Sequence, residues 1–183
     1  MKSKFQWLIV LVYVVLAVEN SLAEGKKLTS REWLIGYGYA KVAGPKDYII
    51  YPVAIDFNFP LPFHRPESPW QLQLEPFLAY VSTPESNAEV GGSFFIKYRF
   101  LPGRFQPYLK AGSGIIFFTQ NLQEQSISFN FASSLGLGLA FSLNEQRSLV
   151  AEARYRHVSN AGIKEPNSGI DSRLFFLGIN WPL

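Results

Sequence analysis

The sequence predicts an all-β protein, an eight-stranded antiparallel transmembrane β-barrel preceded by a cleaved signal peptide. Three observations predict it. Eight segments alternate with period two between large apolar residues and small or polar ones. Clusters of Pro, Gly, Asn and Ser separate those segments. Hydrophobic residues make up 48% of the 183-residue chain and charged residues only 17%, against about 25% charged in a soluble domain.

The chain opens with Lys2 and Lys4, then an apolar run over 5–18 broken only by Gln6, then Ser21-Leu22-Ala23. A charged start, an apolar centre and small residues at −3 and −1 are what a signal peptidase reads. The run is shorter than the roughly 20 residues that span a bilayer as a helix. Residues 1–23 are therefore expected to be a signal peptide and residues 24–183 a single barrel domain.

The expected strands follow in order. The first, 31–42, alternates least clearly because Gly36 and Gly38 blur its facing. In 49–59, Ile49, Tyr51, Val53, Ile55, Phe57 and Phe59 share a parity that excludes Asp56 and Asn58. In 70–81, Trp70, Leu72, Leu74, Leu78 and Tyr80 oppose Gln71, Gln73 and Glu75. In 90–100, Val90, Phe94, Ile96, Tyr98 and Phe100 oppose Ser93, Lys97 and Arg99. Segment 107–119 is the fifth. The clearest is 127–142, where Phe129, Phe131, Leu135, Leu137, Leu139 and Phe141 oppose Asn130, Ala132, Ser134, Gly136, Gly138 and Ala140. Segments 148–160 and 170–181 complete the set.

Helical spacing would mix the two faces, whereas a strand separates them. The lengths match the roughly 9–11 residues of a tilted crossing. Trp33, Tyr48, Trp70, Tyr80, Phe118 and Trp181 lie near segment ends, where interfacial girdles belong. The apolar face is then expected toward lipid and the small or polar face toward a filled lumen. That lumen would hold Asp56, Glu75, Lys97, Arg99, Lys110, Glu152, Arg154 and Arg156, with Arg154–Glu152 and Lys97–Glu75 as expected pairs. Structural salt bridges are the preferred role for these groups. With both termini in the periplasm, the connections 43–48, 83–87, 120–126 and 161–168 point outward.

Several function classes find no support. The net charge is +3 with scattered basic residues, so there is no nucleic-acid footprint. The chain has no cysteine and two histidines. His64 lies in a Pro-rich turn over 60–69, which leaves no metal-ligand spacing. No cofactor is expected.

The other histidine has neighbours that could carry chemistry. Leu149, Ala151, Ala153, Tyr155, His157 and Ser159 share one parity, and the leading residues are apolar, so His157 and Ser159 project from the lipid face. Asp171 shares the parity of Phe175, Leu177, Ile179 and Trp181. A hairpin centred near Lys164 sets Asp171 across from His157. A hydroxyl, a base and an acid that orients the base are the parts of a serine hydrolase, recognised by geometry and not by chain order. On the residues alone, polar groups at a barrel rim are the competing reading.

The run Glu152-Ala-Arg154-Tyr-Arg-His157-Val-Ser159-Asn160-Ala161-Gly162, continuing to Asn167-Ser-Gly169-Ile-Asp171, resembles the signature of the lipid A 3-O-deacylase family. The resemblance extends to the signal peptide and the eight-stranded barrel. It implies an outer-membrane serine esterase that removes the acyl chain at the 3-position of lipid A, without a cofactor. Ser159 would be the nucleophile, His157 the base and Asp171 the acid. Asn160, with the backbone near Gly162, would stabilise the oxyanion. The acid is a departure, because the family's residue there is glutamate, with Glu165 as the fallback. The implied partners are lipopolysaccharide and the outer membrane, and a homodimer is allowed. The alternative is a non-catalytic structural or interaction barrel, with an acyltransferase third.

Overall fold

A computed structural model describes residues 28–41, 47–61, 68–120 and 125–182. The expected signal peptide and His64 lie outside the described residues. Eight strands form a closed barrel in which each pairs antiparallel with its chain neighbours and β1 closes on β8. The strands are β1 Ser30–Lys41, β2 Asp47–Pro60, β3 Trp70–Thr83, β4 Asn87–Arg99, β5 Phe105–Phe118, β6 Phe129–Asn144, β7 Arg147–Ser159 and β8 Ile170–Pro182.

The even strand number brings both ends of the described barrel to one rim. At that rim β6 and β7 are joined by a tight turn in which Asn144 Oδ1 accepts the Gln146 N–H at 2.9 Å, a side chain standing in for a backbone turn bond. The opposite rim carries the 160–169 connection between β7 and β8.

Burial runs opposite to that of a water-soluble barrel. Leu135, Leu137, Leu139, Phe175, Leu177, Ile35 and Phe94 are exposed on the outside, while Glu32, Asp56, Glu75, Glu89 and Lys110 are buried within. An apolar wall around a polar interior suits a hydrocarbon surround, where every strand edge must also be paired. Closure to β1 meets that second need.

Eight strands leave an interior just wide enough for side chains to fill, and the small face of β6 shares it out. A Cβ on Gly138 would lie 2.2 Å from the Tyr108 ring. The glycine lets that ring lie flat against the wall, where its hydroxyl donates to Glu152 at 2.8 Å. Gly136 likewise leaves room for Lys110 and Glu152.

The buried charges form two groups, one around Lys110 and Arg154 and one around Glu89. Lys110 Nζ contacts Glu152 at 2.9 Å, Glu75 at 3.3 Å and Asp56 at 3.4 Å. Arg154 forks onto both Glu75 oxygens at 2.5 and 2.6 Å and donates from Nε to Glu152 at 2.7 Å. Its guanidinium also lies 4.5 Å from the Phe176 ring centroid. Arg156 forks onto Glu89 at 2.7 and 3.2 Å, and Tyr48 donates to the same carboxylate.

Three expectations are corrected. Lys97 pairs with Glu32 at 2.5 Å and not with Glu75, because closure brings β1 across the lumen from β4. Glu32 and Glu89 join the inward set, so five inward acids face the bases Lys97, Arg99, Lys110, Arg154 and Arg156. Tyr48 and Phe118 are buried inside the barrel and do not form a girdle. The exterior aromatics that do cluster include Tyr37, Tyr51 and Tyr80, with centroids 5.8 and 6.4 Å apart in sequence. Trp70 and Tyr98 form another pair at 4.6 Å.

Candidate active site

On the outer surface near the rim of the 160–169 connection, the apolar wall is interrupted. Its register is set by β7 and β8, in which Ala153 faces Phe175, Tyr155 faces Arg173 and His157 faces Asp171. The midpoint of the hairpin is Lys164, the centre that sets Asp171 across from His157. His157 Nδ1 and Asp171 Oδ1 meet at 2.7 Å. The two side chains retain 45% and 57% exposure, so this hydrogen-bonded pair faces the surroundings of the barrel and not its lumen.

With Nδ1 committed to Asp171, the Nε2 atom is the one left for a hydroxyl. Ser159 follows two residues later on the same face, which sets the Cα atoms about 6.6 Å apart along an extended strand. Ser159 Oγ makes no hydrogen bond among the described residues. The chain leaves the strand immediately afterwards, as Ala161 at φ 55° and Gly162 at φ 76° turn it through the left-handed region. Such a conformation is costly for alanine and free for glycine.

The 160–169 connection is tied down by carboxamides. Asn160 is fully buried; its backbone N–H donates to Asn167 Oδ1 at 2.9 Å and its Nδ2 donates to Lys164 O at 2.7 Å. The backbone N–H and one of the two Nδ2 hydrogens of Asn160 are therefore engaged in holding the turn. The backbone N–H groups of Ala161 and Gly162 have no partner among the described residues. Ser126 adds a strut from the β5–β6 connection, donating from Oγ to Lys164 O at 2.8 Å and from its N–H to Pro166 O at 3.1 Å. Glu165 accepts the Asn167 N–H at 2.9 Å, and no contact joins it to His157.

Gly169 ends the connection at φ 73°. A Cβ there would come 2.9 Å from His157 Cε1. Glycine is needed twice over, once for the backbone angle and once so that the chain can pass the edge of the imidazole. Nothing in the sequence alone marks this second need at Gly169.

Below the cluster, the outer face of β7 carries Ala151 and Ala153 between the larger Leu137 and Leu139 of β6 and Phe175 and Leu177 of β8. The difference in height leaves a shallow apolar groove of about 910 Å³ that extends to Ile35 and Tyr37 on β1. Among the described residues, no cluster of His, Cys, Asp or Glu could hold a metal ion.

The comparisons with known proteins fit this arrangement. Two relatives named lipid A deacylase PagL match parts of the chain. The one from Pseudomonas aeruginosa is 34% identical over 85 residues, 45% of this chain and 47% of the relative. The one from Bordetella bronchiseptica is 39% identical over 67 residues, 35% of each. The aligned stretches thus span less than half of either relative.

Among solved structures, the outer membrane enzyme PagL is similar at a TM-score of 0.64 and 20% identity, over 82% of this chain and 99% of that one. Neisserial surface protein A is similar at 0.68 and 13% identity, over 87% and 99%. These two likenesses establish the barrel and do not separate an enzyme from a surface protein. The family model is more discriminating, since it covers residues 52–180 and so includes the His157–Asp171 hairpin. By that match, the chain belongs to the lipid A 3-O-deacylase (PagL) family.

Proposed function

We propose that the protein is an outer-membrane esterase that hydrolyses the 3-position ester-linked acyl chain of lipid A, with Ser159, His157 and Asp171 as its triad. The observation that carries this reading is the 2.7 Å His157–Asp171 bond on the lipid-facing wall, two residues from a hydroxyl without an internal partner. A site on the wall suits a substrate that stays in the outer leaflet, because the ester need not enter a lumen filled with ion pairs. It also lies near the rim, where water can reach an acyl-enzyme.

In this mechanism His157 Nε2 removes the Ser159 proton as Oγ adds to the ester carbonyl. Apo geometry is often looser than the reacting complex, so a small rotation of Ser159 toward His157 completes the relay. The Asp171 carboxylate holds the Nδ1–H tautomer and stabilises the imidazolium. Collapse of the tetrahedral intermediate passes that proton to the glucosamine 3-oxygen and leaves the acyl group on Ser159. Water then repeats the sequence and frees the fatty acid.

The backbone N–H of Gly162, without a partner among the described residues, and the second Nδ2 hydrogen of Asn160 would meet the oxyanion. Asn160 also fixes the backbone from which the Gly162 N–H projects. The groove over Ala151 and Ala153 would take the acyl chain.

Mass spectrometry of lipid A from cells expressing the wild type and Ser159→Ala tests the proposal. The wild type should remove one ester-linked 3-hydroxyacyl chain, and Ser159→Ala should leave lipid A intact while still folding. An unchanged lipid A profile with folded wild-type barrel would refute the enzyme reading and favour an interaction barrel.

A further inference from the structure

One polar side chain at this site has no part in the triad. Tyr155 lies two residues before His157 on the outer face of β7, directly across from Arg173. Its hydroxyl passes over that partner and donates diagonally to Asp171 Oδ1 at 2.7 Å. Diagonal neighbours on adjacent strands are within reach of an aromatic side chain. The same Oδ1 atom accepts from His157 Nδ1 at 2.7 Å. One carboxylate oxygen therefore receives two donors, from residues i and i−2 of the facing strand.

We infer that Tyr155 is a positioning residue for the esterase, pinning the Asp171 carboxylate so that it stays aligned with His157. The inference rests on the triad proposed above. Asp171 is 57% exposed and has no buried wall to fix its rotation. A carboxylate on a short side chain and an open face can turn its oxygens away from the imidazole at little cost. The phenol limits that freedom from the opposite side and also supplies a second donor to a charge set against lipid. Arg173 flanks both groups but makes no hydrogen bond or ion pair among the described residues. Tyr155 alone bridges the acid to β7 below His157.

A matched control lies on the same surface. Tyr39 of β1 is half-buried on the same outer face and donates from its hydroxyl to a carboxylate, Asp47 Oδ1, at 2.8 Å. It borders the same pocket but makes no hydrogen bond to Asp171 or His157. Loss of a phenol hydroxyl at the membrane surface can thus be separated from loss of this particular hydrogen bond.

The test uses the full-length barrel, purified in detergent micelles with lipid A as substrate, and measures kcat and KM separately. Tyr155→Phe should lower kcat by about 10–100-fold with KM and the heat-resistant folded fraction unchanged. Tyr39→Phe should leave kcat as in the wild type. In an Asp171→Asn background, adding Tyr155→Phe should cause no further loss, because the group it positions has already been disabled. A Tyr155→Phe kcat equal to the wild type would overturn the inference. So would a loss that persists undiminished beside Asp171→Asn, or one that appears in KM alone. Each of those results leaves the esterase reading intact if Ser159→Ala is inactive. If wild type and Ser159→Ala are equally inert, the esterase reading fails with it.

Discussion

The barrel holds two polar assemblies built on the same strands, and they obey opposite rules. Inside, Glu75, Glu152, Lys110 and Arg154 pair with one another and are buried from solvent. Outside, two residues along β7 at a time, Tyr155, His157 and Ser159 interrupt an apolar wall and keep their surfaces open. The interior set has a structural explanation, since a narrow lumen must be filled and buried charges must be paired. The exterior set has none. It fills no lumen, and near the rim polar groups cost the barrel little. If the proposed triad holds, the even positions of β7 serve stability, and Tyr155, His157 and Ser159 among the odd ones serve chemistry.

Breaking the two assemblies should therefore give different signatures. The largest effect on turnover is expected from His157→Gln, which removes the base and lowers kcat by roughly 10⁴-fold. Its folded fraction, followed by heat-modified migration on gels, should match the wild type. Arg154→Ala attacks the interior and leaves the Glu75 and Glu152 carboxylates short of a buried partner. It should cost about 3–5 kcal/mol of stability, seen as a lower urea midpoint in lipid vesicles, with turnover per folded barrel preserved. Gly169→Ala is the smallest change and falls between the two. The left-handed backbone and the His157 contact should together lower kcat by about tenfold for roughly 1–3 kcal/mol of local strain, and KM should change little.

How much of this was legible beforehand differs between the two assemblies in the same way. The eight strands and their facing follow from period-two alternation, which a membrane barrel shows without tertiary information. Parity also put His157, Ser159 and Asp171 on the outside, and hairpin symmetry about Lys164 set the last opposite the first. Contacts across the lumen were not legible. Lys97 reaches Glu32 because β1 and β4 come together only when the barrel closes, and no local pattern encodes that. Glu32 was hidden by two glycines that blurred β1, and Glu89 by a strand that starts at Asn87 and not at Val90.

At the site, parity counted Tyr155 among the apolar wall residues. Its hydroxyl acts along a diagonal that a face assignment does not see. For Asn160 the motif does not show that its backbone N–H is held by Asn167 and one side-chain hydrogen by Lys164, bonds that only the folded turn creates.

Two isosteric changes bring the inside and outside of the barrel into one measurement. Asp171→Asn and Glu75→Gln each remove one carboxylate charge with almost no change of shape. The quantity to measure is the rate of 3-hydroxyacyl release from lipid A per folded barrel, with the folded fraction determined on the same sample. Asp171→Asn should lose turnover by at least about 10²-fold with a normal folded fraction. Glu75→Gln should lose folded fraction but keep the wild-type rate per folded molecule. Full turnover in Asp171→Asn, or loss of turnover in fully folded Glu75→Gln, would move the chemistry into the lumen and contradict this division.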